Sequence, residues 1–214
     1  MHFYDPANLN LRSMHIAIQA NTQQKELLLQ KGIPAGISVS WLVEGMALPV
    51  ADAYFDFLGT DDVFATVKDQ PVFINEVLRT GRQLPLNCIR VNAWNSFLER
   101  PVLEIAGEHN RAAGENILRS LNWKYQWVPD EPGFIAARIV CMIINEAYFA
   151  LGQELSSKNE MDIAMKLGTN YPMGPFEWAE QIGTRRVYDL LKILEREDKR
   201  YTPSGLLEKE ALQS

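Results

Sequence analysis

A helix that is apolar on nearly every face has to be buried, and one stretch of this 214-residue chain would form such a helix. From Phe134 to Leu151 the polar exceptions are Arg138, Asn145 and Glu146. They interrupt the run well short of the ~20 residues a membrane span needs, so the helix belongs in a core or against another subunit. Pro132-Gly133 opens the stretch, and a polar break at Ser156-Ser157-Lys158-Asn159 follows it. A second helix is expected to hold Asp162 to Leu167, and a turn from Gly168 to Pro175 leads into a third, which Gly183 ends. Thr184 is expected to cap a further helix to Glu197, with Val187, Leu190, Leu191 and Leu194 at helical spacing. Gly205 to Leu212 reads as a final short helix. Arg138 and Asn145 lie a heptad apart and project from nearly one side. If buried they need hydrogen-bond partners, which neighbouring backbone can supply.

The first part of the chain has a different rhythm. Met14 to Gln19 reads as a strand, Thr22 to Lys31 as a helix stopped by Gly32, and Ile37 to Val43 as a second, alternating strand. Leu27, Leu28 and Leu29 are expected on the helix's inner side, with Thr22 as its cap. Further strands are expected at Asp52–Leu58, 71–75, Cys88–Val91, 101–106 and 124–128, with a short helix or irregular turn at 61–68. Arg111 to Leu121 reads as a helix with Ala112, Ala113, Ile117, Leu118 and Leu121 facing in. Strands alternating with short helices predict a mostly parallel sheet. Pro129 to Gly133 clusters Pro, Asp and Glu and marks a boundary. The expected organisation is α/β plus all-α, with a Rossmann-like unit at 1–130 and a helical unit at 131–214.

Composition narrows the function classes. A net charge of −6 and the lack of a basic stripe argue against nucleic acid as a partner. Cys88 and Cys141 fit the reduced thiols of a cytoplasmic protein. Residues 1–13 show neither a secretory h-region nor an Arg-rich amphipathic pattern. Nothing predicts a metal site.

The segments PGFxxxR at Pro132–Arg138, Asn145-Glu146-Ala147, AMKLGxNYPMGPFE at Ala164–Glu177 and RYTPSGLL at Arg200–Leu207 together resemble the C-terminal domain of the 3-hydroxyacyl-CoA dehydrogenases. The resemblance covers Pro132 to Ala211. It implies a helical domain that forms a homodimer and one wall of an acyl-CoA cleft. It continues faintly through Asn92–Phe97 and Pro101–Glu104. On that alignment the family's catalytic histidine falls on Asn92 and its orienting glutamate on Glu104. Asn95, Arg138 and Asn145 are the implied substrate-contacting positions. The family's active-site asparagine falls on Ala137, and its serine near Leu78 or Arg79.

An NAD site of this family needs Gly-x-Gly-x-x-Gly between the first strand and helix, for a tight turn, close approach of the pyrophosphate and close helix packing. That slot here is Gln19-Ala20-Asn21-Thr22-Gln23-Gln24, with Gln19, Asn21 and Gln24 in the glycine places. Glu44 stands roughly where the ribose-binding acid would be. Asn92 has no proton to exchange near neutral pH. Glu104 is expected to pair with Arg138 or Arg90. Of the three histidines, His2, His15 and His109, none falls on the motif, and His109 reads as an exposed loop residue.

These readings favour a degenerate 3-hydroxyacyl-CoA dehydrogenase-like pseudoenzyme without NAD, binding acyl-CoA or acting as a dimeric scaffold. The alternative is an active NAD-dependent 3-hydroxyacyl-CoA (3-hydroxybutyryl-CoA) dehydrogenase, an oxidoreductase of fatty acid metabolism with altered residues. A third is an interaction module that displays Trp94, Trp123, Trp127 and Trp178.

Overall fold

The computed structural model describes residues 13–59 and 63–213. Its first half is a sheet of seven strands among those residues, in the order β2-β1-β3-β4-β5-β6-β7. These are β1 (Met14–Gln19), β2 (Ile37–Leu42), β3 (Ala53–Asp56), β4 (Val72–Ile74), β5 (Cys88–Val91), β6 (Val102–Ala106) and β7 (Lys124–Trp127). Every neighbouring pair is parallel except β5–β6. Strands covered on both faces read as continuous apolar runs, and Ile16, Ala17 and Ile18 of β1 are all buried. Helices α1 (Thr22–Lys31) and α2 (Arg111–Ser120) pack on one face of the sheet through Leu28, Ile117 and Leu118, in a core with Ile16, Phe55 and Phe73. The opposite face carries a smaller cluster around Ala17, Tyr54, Phe64 and Val72. Residues 63–66 form turns, and Asp61 and Asp62 lie outside the described residues.

The second half is helical: α3 (Ala136–Gly152), α4 (Lys158–Thr169), α5 (Pro175–Ile182), α6 (Thr184–Glu195) and α7 (Gly205–Gln213). The chain therefore has a shortened, mostly parallel Rossmann-like sheet followed by a helical domain. Its core is not separate from the sheet. Val77, Trp94, Phe97, Ala106 and Val128 join Val140, Ile144, Leu190 and Leu191 in one cluster. No helix among the described residues is long and apolar enough to cross a membrane.

Arg90 clamps the two halves together. Its guanidinium is fully buried, bonds Asp130 at 2.5 Å, donates to the carbonyls of Glu76 (3.0 Å) and Glu131 (3.2 Å), and lies over the Phe134 ring. Burial lowers its pKa, and the Asp130 bond and charge oppose that shift. The loop between β7 and α3 is thereby tied to the sheet.

Several local expectations need correction. The cap of α1 is Asn21, not Thr22, and Leu28 faces in while Leu29 faces solvent. In α2 the inward side begins at Gly114, where a side chain would overlap Ile89, so Ala112 and Ala113 point outward. Lys158 and Asn159 are the first turn of α4, because Ser157 and Glu160 form a capping box. Gly183 rather than Thr184 precedes α6, which ends at Glu195. Trp94, Trp123 and Trp178 are buried, and Trp127 donates to Glu115 beneath Arg111. They therefore offer no aromatic display surface. Finally, α3 is not buried all round. Ala137, Val140, Cys141, Ile144 and Tyr148 face the core, while Ile139 is 56% and Phe149 41% exposed.

Candidate functional site

In open α/β sheets a ligand crevice forms at the carboxyl ends of the strands, where the strand order reverses. Here that point lies between β1 and β3, since β1 leads through α1 to β2 on one side and the chain then returns to β3 on the other. The turn Gln19–Gln24 guards it. Asn21 Oδ1 accepts from the Gln24 backbone N–H at 2.8 Å, and Gln24 Oε1 accepts from the Asn21 N–H at 3.0 Å. Gln24 Nε2 then reaches across the crevice and donates to the Phe57 carbonyl at 2.9 Å. Asn75 Nδ2 donates to the same carbonyl at 3.1 Å, and Phe57 N–H donates to Gln19 O at 2.9 Å. Gln24 is 5% exposed.

A helix N-terminus binds phosphate through free N–H groups and close backbone approach. At α1 the Gln24 N–H is already taken by Asn21, and the place of the third glycine holds a buried side chain stapled to the end of β3. These residues do not fit a pyrophosphate held in the Gly-x-Gly-x-x-Gly manner. Glu44 is exposed in the turn after β2. Asp56, buried at the end of β3, accepts from Leu58 and Gly59 N–H at 3.0 and 2.9 Å and turns the chain there.

The second part of the site comes from the antiparallel pair. Continuing the register Arg90↔Ala106 and Val91↔Ile105 sets Asn92 opposite Glu104. Asn92 Nδ2 donates to Glu104 Oε2 at 3.0 Å. The Ala136 N–H, in the first turn of α3, donates to Glu104 Oε1 and Oε2 at 3.0 and 3.2 Å. A carboxylate at a helix N-terminus is favourably placed against the helix dipole. Glu104 thus pairs with Asn92 and Ala136, not with Arg138 or Arg90 as expected. Asn92 is 2% exposed, and its Oδ1 is buried without a hydrogen-bond partner.

Asn75 links the two parts. Besides donating to Phe57 O, it accepts the Ala93 N–H on Oδ1 at 3.0 Å. Sequence reasoning missed it, and its signal was an amide directly after a short buried strand. Leu78 and Arg79, near the family's serine position, both donate backbone N–H groups to Glu76. Asn95 is half-buried in the turn after Trp94, and Ala137 is buried. His109 is exposed in the loop after β6, His15 bonds Ser38 and Ser40 on β2, and His2 lies outside the described residues.

Arg138 and Asn145 sit elsewhere. Arg138 Nη2 donates to Pro132 O at 2.9 Å and the group lies 5.9 Å over the Tyr201 ring. Asn145 Nδ2 donates to Thr202 O at 2.9 Å and its Oδ1 accepts Ser204 N–H at 2.8 Å. Asn145 holds the turn before α7, with its Tyr-Thr-Pro-Ser sequence, and Arg138 holds the Pro132 carbonyl before α3. The turn before α5 is fixed in the same way. Phe176 N–H donates to Asp162 Oδ1 at 2.8 Å, and any side chain at Gly174 would overlap Asp162. The patterned segments of the helical half are thus the ones whose backbones are closely packed or held by side chains. No group of three or more His, Cys, Asp or Glu among the described residues could hold a metal.

Residues 133–213 match the family described as 3-hydroxyacyl-CoA dehydrogenase, C-terminal domain. The 3-hydroxyadipyl-CoA dehydrogenase of Escherichia coli (strain K12) is 44% identical over 87 residues, which are 40% of this chain and 18% of that protein. The crystal structure of 3-hydroxybutyryl-CoA dehydrogenase from Escherichia coli K12 is 30% identical over 68% of this chain and 32% of that one, with a TM-score of 0.58. The chain therefore spans about a fifth to a third of the length of these relatives. The (S)-3-hydroxybutyryl-CoA dehydrogenase of Ralstonia eutropha shares the fold over 94% of both chains, with a TM-score of 0.67 at 19% identity. Over residues 133–213 this chain is similar to the C-terminal domain of the 3-hydroxyacyl-CoA dehydrogenases.

Proposed function

We propose that this chain is a member of the family that has given up the dinucleotide site and the proton-transferring base, and that it keeps an acyl-CoA ester as its ligand. The observation that carries the reading is the Gln24 staple, which puts a side chain where the nucleotide's phosphates would approach. The second support is independent of it. Asn92 stands at the base's position and cannot exchange a proton near pH 7, a loss that costs at least the ~10²–10⁴-fold of general-base catalysis. Pairing of two copies through the C-terminal helices belongs to the same reading.

One observation favours an active NAD-dependent dehydrogenase instead. Asn92 and Glu104 remain coupled at 3.0 Å, and the Asn92 carbonyl oxygen has no partner. A polarising contact to a substrate hydroxyl is within its chemistry.

Thermal unfolding with acetoacetyl-CoA, followed by an assay of NADH consumption with the same ester, tests both. At ~100 times its dissociation constant a ligand adds about 2.7 kcal/mol, which moves the midpoint of a chain this long by roughly 5–10 °C. The expected result is a shift with the CoA ester and no turnover of NADH. Turnover would establish the active dehydrogenase, and the absence of any shift would leave a scaffold without a CoA ligand.

A further inference from the structure

We propose that the pocket between the end of α1 and the start of β7 binds a phosphate group, free or as a small monoester, through Lys31, Asn122, Trp123 and Lys124. The site is separate from the acyl-CoA reading above and does not depend on it.

Two helix ends and two strand starts build the pocket. Helix α2 stops because Asn122 takes the left-handed conformation, with φ 55°, which asparagine visits more readily than most residues. The Asn122 N–H donates to Arg119 O and the Trp123 N–H to Leu118 O, both at 3.0 Å, the closing pattern of a Schellman turn. The turn delivers Asn122, Trp123 and Lys124 in succession, the indole buried and its two neighbours exposed. Lys31, the last residue of α1, joins them, its ammonium donating to Arg100 O at 3.0 Å just before β6. Pro101 and Leu103 complete the lining of a cavity of about 190 Å³. A water takes up about 30 Å³ in the liquid, so an ion of several heavy atoms has room.

Neither part of the family site reaches this place. Successive strand residues point to opposite faces, so Leu103 lines the pocket while Glu104, with its bonds to Asn92 and Ala136, lies on the other side of the sheet. The Gln19–Gln24 turn is at the opposite end of α1.

The pocket is rich in donors and poor in acceptors. No Asp or Glu lines it among the described residues. An ammonium has three donors, and Lys31 uses one on Arg100 O. The Lys124 ammonium and the Asn122 amide have no partner among the described residues. Trp123 Nε1 is buried without a hydrogen-bond partner. An indole N–H can only donate, and buried donors are almost always paired, so this one calls for an acceptor. Four donor groups around one cavity suit the three acceptor oxygens of a phosphate group better than the two of a carboxylate. Partial burial lowers the Lys31 pKa, and an anion beside the ammonium would offset that loss of water. The carboxyl ends of α1 and α2 each bring roughly half a negative charge, which the two full ammonium charges outweigh.

Phosphate titration of the full chain at constant ionic strength tests the site. The five tryptophans give five indole N–H signals in nitrogen–proton NMR correlation spectra. The Trp123 signal is expected to shift and saturate with inorganic phosphate. Lys31→Met with Lys124→Met is expected to raise the dissociation constant at least tenfold, while Lys209→Met, on the exposed side of α7, leaves it unchanged. Both substituted lysines are exposed, so the double variant is expected to keep its fold, which the other four indole signals report. Glycerol phosphate binding more tightly than inorganic phosphate would identify a monoester as the occupant, and the reverse order the free ion; either supports the site. A Trp123 signal that never saturates, or one that saturates equally in the double variant, would overturn the proposal.

Discussion

Gln24 makes three hydrogen bonds with one amide and its own backbone N–H: it closes the capping box of α1 and ties that helix to the end of β3. Removing the side chain leaves Phe57 O to Asn75 alone and opens a void behind the turn. Gln24→Ala is expected to cost about 1–3 kcal/mol, read as a lower denaturant midpoint at unchanged slope. A change near zero would mean that the amide bridges nothing that matters. Part of this was legible beforehand, since the missing glycines of Gln19–Gln24 could be read directly. What replaced them could not. Asn21 and Thr22 both favour helix caps, and only the partner three residues on decides between them. Glu104 illustrates the same limit. A carboxylate's partner depends on strand register, and Asn92 became that partner through the antiparallel pair β5–β6.

At the scale of elements, capping residues set boundaries more sharply than hydrophobic periodicity. β1 and α1 begin and end where strand and helix patterns place them. α4 begins four residues earlier than the apolar pattern implied, because Ser157-x-x-Glu160 is a reciprocal cap. The bonds from Ser156 and then Ser157 hold the Glu160 pKa down to about 2. Glu195, at the end of α6, is held to about 2 by Lys192 and then Thr202. Both values lie below the ~4.3 of an unfolded glutamate. Their contribution to stability is therefore complete above that value and drains away as the pH falls toward 2. Chemical denaturation at a series of pH values is expected to show stability falling between about pH 4.5 and 2, with a shallower fall in Glu160→Gln. An identical slope in the variant would remove the α4 cap from the account. α3 shows where sequence patterning stops. An all-round apolar helix looks the same whether its outer face meets its own chain or a second copy. Only the packed structure separates the Val140–Ile144 side from the Ile139–Phe149 side.

Across the whole molecule, the two halves are held by different means. In the helical half, backbone turns at Gly174 and at Thr202–Ser204 are locked by Asp162 and Asn145, and this half carries the family match. The sheet half rests on continuous apolar strands and is attached by the Arg90 clamp. That contrast explains why the helical half was readable as a family, while the sheet was readable only as a fold. The central claim is that the crevice between β1 and β3 is closed by the chain's own amides and takes no dinucleotide. Calorimetric titration of the full chain with NADH tests it most directly. The account predicts no saturable heat. A saturable isotherm would contradict it.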